Sequence, residues 1–72
     1  MSADDLSTKE KRDLGIRVKA ETDNRLIQSF AAEMIGESYP LSKAMADIVF
    51  ENRNEVELGY KFAKWMDEGE ET

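Results

Sequence analysis

A chain of seventy-two residues makes one small domain. At that size only about 60% of the unfolded surface is buried, so support from staples, metals or a second chain is common. Cysteine and histidine are both absent, which excludes disulfides, thiol nucleophiles, zinc-finger sites and histidine-based catalysis. Sixteen acids against ten bases give a net charge of −6, the wrong sign for a nonspecific nucleic-acid binder.

That sum hides a split. Residues 9–25 hold six bases against four acids, net +2, whereas residues 44–72 hold eight acids against three bases, net −5. Two surfaces with two different partners are expected from such a division. No apolar run approaches the ~20 residues of a membrane span, and the opening "MSADDLSTKEKRD" lacks the apolar core of a signal peptide. The expectation is a soluble, cytoplasmic protein.

In chain order, residues 1–11 are charged and aperiodic and read as a flexible arm. The stretch "LGIRVKA" follows, with Leu14, Ile16, Val18 and Ala20 alternating with Gly15, Arg17 and Lys19. Alternation of this kind predicts a β-strand over residues 14–20. Thr22 and Asp23 are candidate N-caps for a helix over residues 23–35, where Leu26, Ile27, Phe30, Ala31 and Met34 recur at helical spacing and Gly36 supplies a left-handed stop. After the linker "GESYP", Ser42 caps a second helix over residues 42–53, marked by Met45, Ile48 and Val49. Residues 54–67 predict a third helix with Gly59 as its weak point, and residues 68–72 an acidic, disordered tail.

One strand leaves its ladder groups unpaired, which a second copy remedies by antiparallel pairing across a two-fold axis. Leu14, Ile16 and Val18 then face a shared core with Phe30, Ile48 and Val49, and Arg17 and Lys19 project from the opposite face. A two-stranded ribbon of this kind fits the major groove of DNA, where Arg and Lys pair with guanine edges.

The segments "GIRVKAETDNRLIQSF" and "LSKAMADIVFEN" resemble the ribbon–helix–helix DNA-binding proteins, dimeric repressors whose paired strands read the major groove. The resemblance implies a mainly α fold, with one N-terminal strand in an intertwined homodimer spanning residues 12–53. It implies base contacts from Gly15, Arg17 and Lys19, and phosphate contacts from Ser42 and Lys43 at a helix N-terminus. Arg12, just ahead of the ribbon, joins the phosphate set. The function that follows is sequence-specific repression, with double-stranded DNA and a second copy as partners.

The C-terminal helix has two readings. Tyr60, Phe62, Trp65 and Met66 either cover the core or bind a basic protein partner, as in antitoxins, whose layout is similar. An acidic interaction protein that binds no DNA is the remaining alternative. Nothing in the chain has the spacing of a nucleophile motif, a phosphate-cradling glycine loop or a calcium loop, so neither an enzyme nor a cofactor is expected.

Overall fold

Ser7 is where the chain first departs from these expectations. Its hydroxyl accepts a hydrogen bond from the Glu10 amide at 3.1 Å, and the Glu10 carboxylate accepts one from the Ser7 amide at 2.8 Å. This reciprocal capping box satisfies two of the amides that a helix start leaves orphaned. It opens helix α1, Thr8–Ala20, in the computed structural model, which describes residues 2–69. Three further helices follow: α2 Arg25–Met34, α3 Lys43–Glu51 and α4 Glu55–Gly69. A short 3-10 turn, Ala3–Asp5, precedes α1.

Residues 14–20 are therefore helical, and no β-strand occurs among the described residues. The intermolecular ribbon and the ribbon–helix–helix architecture built on it are corrected to an all-helical fold. The physical reason lies in the pattern itself. Leu14 and Val18 are four residues apart, as are Ile16 and Ala20, so a four-member alternation also describes two stripes of one helix. Val18 is buried and Leu14 packs against the core, while Ile16 and Ala20 face solvent. Local charges agree with the helix, pairing Lys9 with Asp13 at 2.7 Å and Arg17 with Glu21 at 3.2 Å, each four residues on.

What holds α1 in place is α4, which runs antiparallel to it at unusually short range. A Cβ built on Gly15 would lie 1.9 Å from the Glu55 carbonyl oxygen, and one on Gly59 would lie 1.8 Å from the Lys11 carbonyl oxygen. Neither position accepts a side chain, because the neighbour in each case is backbone. Gly59, read from sequence as a weak point in its helix, is half of the seam that joins the two longest helices.

The arm expected over residues 1–11 is also largely fixed; Met1 lies outside the described residues. Residues 8–11 form the first turn of α1, Ala3 is buried, and its amide donates to the Asp67 carboxylate at 2.8 Å. The Tyr60 hydroxyl donates to Asp4 at 2.8 Å, tying the same segment to the middle of α4. Of the expected acidic tail, Glu68 and Gly69 continue α4, and residues 70–72 lie outside the described residues.

The other helices follow their sequence signals closely. Asn24, not Thr22 or Asp23, caps α2 by accepting from the Leu26 amide at 2.8 Å. Gly36, at φ +78°, ends that helix in a Schellman turn, with the Gly36 amide on Glu33 and the Glu37 amide on Ala32. Ser42 caps α3 by accepting from the Met45 amide at 3.2 Å. The core gathers Val18, Ile27, Phe30, Leu41, Phe50, Leu58 and Phe62, with alanines at positions 31, 32 and 46 where helices close on one another. Phe30 sits at its centre, with ring centroids 5.7 Å from Phe50, 5.1 Å from Phe62 and 5.5 Å from Trp65.

Candidate interaction surface

The residues assigned to DNA are dispersed by the helix that replaces the ribbon. A strand sets positions 15, 17 and 19 on one face, whereas a helix turns about 100° per residue and sends Arg17 away from Gly15 and Lys19. Gly15 is buried beneath Glu55 and has no route to a base edge. Lys19 points the same way and is held at 2.7 Å from the Glu55 carboxylate and 3.5 Å from the Glu51 carbonyl. Arg17 is exposed but turns back to Glu21.

The expected phosphate set fares differently. Ser42 uses its hydroxyl on its own helix, and Lys43 pairs with Asp47 at 3.0 Å. Arg12 is exposed on α1. Elsewhere Lys61 pairs with Glu57 at 2.9 Å, Arg53 donates to the Val49 carbonyl at 3.1 Å, and the Lys11 and Lys64 ammonium groups lie 5.2 and 5.8 Å from the Tyr60 ring centre. Most cations of the chain are thus engaged within it.

The residues expected in a dimer core divide. Val18 and Phe30 are buried in the chain's own core, and Leu14 and Val49 pack against it. Ile16 and Ile48 do neither and stand in solvent. Tyr60, Phe62, Trp65 and Met66, the alternative partner-binding set, lie in α4: Phe62 is core, Trp65 and Met66 lean on it, and Tyr60 is half-buried beneath two lysines. That placement gives the C-terminal helix the structural role of covering the core.

Among the described residues, Ile16, Leu26, Ile35 and Tyr39 are exposed singly elsewhere in the chain, and α3 carries two exposed large apolar side chains on one face. In α3, Ala46 and Phe50 turn inward, which points Ile48 outward with Ala44 and Met45 at its sides. Ile48 is 62% exposed and Met45 46%. Exposure of single apolar residues is ordinary, but adjacent ones on one helix face form a patch. The carboxylate of Asp47 borders it, accepting hydrogen bonds from the buried Thr22 hydroxyl and from Lys43. Those two donors hold the Asp47 carboxyl below the usual carboxylate range, Thr22 contributing most. Gln28 donates to the Thr22 carbonyl at 2.9 Å, so the edge of the patch is anchored through the α1–α2 connection to α2.

Grooves elsewhere are open, and one, lined by Leu26, Trp65, Met66 and Gly69, is almost wholly apolar. Another of about 180 Å³ runs between α1, α2 and α4, lined by Leu14, Val18, Ile27, Phe62 and Met66 with Arg17 and Glu21 at its rim. No group of three or more acidic, histidine or cysteine side chains among the described residues is arranged to hold a metal ion. No helix among them is long and apolar enough to cross a membrane. Compared with family models, curated proteins and solved structures, the chain matches none.

Proposed function

We propose that this chain is a small, non-catalytic interaction protein that docks on a protein surface through the outer face of α3. The observation that carries the reading is the contrast on its surface. Five of the ten bases are paired with carboxylates on the chain's own surface, four of them with the residue four positions away, while Ala44, Met45 and Ile48 stand exposed. Removing that patch from water is favourable at roughly 25 cal/mol per Å² of apolar area. The net charge of −6 supports the same reading, since a duplex of like sign repels the chain over about a Debye length.

The test pairs two titrations. Random-sequence duplex at low salt is expected to give no binding, whereas association with protein is expected to be lost in Ile48→Asp. Duplex binding that is abolished by Arg12→Ala or Arg17→Ala and untouched by Ile48→Asp would overturn the proposal.

A further inference from the structure

We infer that residues 2–6 form an autoinhibitory strap, an internal occupant of a site on α1 and α4 that takes a small residue followed by an aspartate from another protein. The site is built on one stripe of α4, where Tyr60, Lys64 and Asp67 follow at helical spacing, with Lys11 of α1 beside them. The Lys11 and Lys64 ammonium groups stand 5.2 and 5.8 Å from the Tyr60 ring centre. The Tyr60 hydroxyl donates to Asp4 at 2.8 Å, and Asp67 accepts from the Ala3 amide at 2.8 Å. The strap packs on α4 with Ala3 4% exposed, so one methyl fills the space between them. Lys64 titrates above its usual value, through Tyr60 first and then through Asp4, so the strap's carboxylate acts on this cation as well.

Two features make the strap separable from the rest. Helix α1 does not depend on it, because the reciprocal cap of Ser7 and Glu10 satisfies the helix start by itself. Leu6 joins strap to helix in extended conformation, at φ −74° and ψ 138°, so the strap can leave while the helices stay packed. The strap is also lightly held. Ala3 is its one fully buried residue, and that small side chain is set against the ordering of the whole segment.

Opening uncovers a site of matched parts. Tyr60, Lys11 and Lys64 receive a carboxylate, whereas Asp67 calls for an N–H donor. An inorganic anion meets the cations but is repelled by Asp67. A peptide supplies both groups, an acid and the amide of the residue before it. The net charge of −6 opposes an acidic peptide, yet physiological salt screens it beyond about 8 Å, and the two ammonium groups act at close range.

The experiment is nuclear magnetic resonance on the full labelled chain at physiological salt. The probe is a blocked peptide copying residues 2–7, acetyl-Ser-Ala-Asp-Asp-Leu-Ser-amide. A peptide that binds only the open form has its affinity reduced by the open fraction. Asp4→Ala removes the strap's bond to Tyr60 and leaves the site whole. It should raise hydrogen exchange of the Ala3 amide about fivefold and tighten peptide binding by the same factor. In that background Tyr60→Phe should leave the exchange unchanged and weaken the peptide about fivefold, because only the peptide's aspartate then uses the hydroxyl. Both substitutions remove polar atoms from an exposed hydrogen bond, and circular dichroism checks that the variants fold.

Equal exchange at Ala3 in Asp4→Ala and the wild type overturns the inference. Peptide binding that does not follow that exchange, complete absence of binding included, overturns it too. So does inorganic phosphate that shifts the Tyr60, Lys64 and Asp67 amides as strongly as the peptide at equal concentration.

Discussion

A single methyl group is the sharpest probe of the α1–α4 seam. Gly→Ala inside a helix ordinarily gains up to about 1 kcal/mol from helix propensity. At Gly15 and Gly59 the added carbon would overlap a backbone carbonyl, with approaches of 1.9 and 1.8 Å, and no side chain can swing aside to relieve it. Overpacking of this kind costs about 1–3 kcal/mol or more, so the loss outweighs the gain. Either substitution is expected to lower the urea midpoint, and a rise would contradict the close approach. Neither glycine was legible as a contact from sequence. Gly15 sat in an alternating run and Gly59 in a helical one, and the reason for each lies in the other helix. The buried Thr22 offers a second residue-scale test. Thr22→Val removes the donor to Asp47, and because Asp47 remains open to water the loss is expected to be about 1 kcal/mol by the same unfolding measurement.

At the scale of elements, the three helices after residue 22 were readable because their signals are local. Ser42 caps α3 and Gly36 stops α2 as the sequence suggests, and the observed bounds lie within two residues of those expected. The first helix was not read, although Ser7 and Glu10 carry the capping-box spacing that starts it. The seven alternating residues that follow the cap fit two i,i+4 stripes of a helix as well as they fit a strand. Ser7→Ala is expected to cost about 1 kcal/mol and to lower helical ellipticity; unchanged stability would count against α1 as drawn. Acid should act on the same devices. The Glu10 carboxyl is lowered first by its hydrogen bond from the Ser7 amide, Asp47 by the Thr22 hydroxyl, and Glu57 by Lys61. A carboxyl depressed in the folded state adds stability that is fully present above its unfolded value, near pH 4, and is lost as pH falls through the folded value. Stability should therefore decline below about pH 4, less steeply in Asp47→Asn than in the wild type.

At the scale of the whole molecule, one aromatic cluster joins α2, α3 and α4 around Phe30, and α1 adds Val18 to the same core. Removing that ring, Phe30→Ala, is expected to cost about 3–5 kcal/mol. That is a large share of what a domain of this size has, so the variant should be substantially unfolded by circular dichroism. The charge split seen along the sequence does not become two opposed surfaces, because bases of the N-terminal half pair within their own helix or, as Lys19 does with Glu55, with the acidic half. What composition could not reveal is which apolar residues the core leaves out. Ile48 and Val49 adjoin in sequence and were assigned together, yet one lies in solvent and the other against the core.

The central claim is that residues 14–20 are a helix sealed against α4. Backbone amide and carbon spectra of the labelled chain test it most directly. Helical carbon shifts are expected over residues 14–20. Extended shifts there would contradict the account.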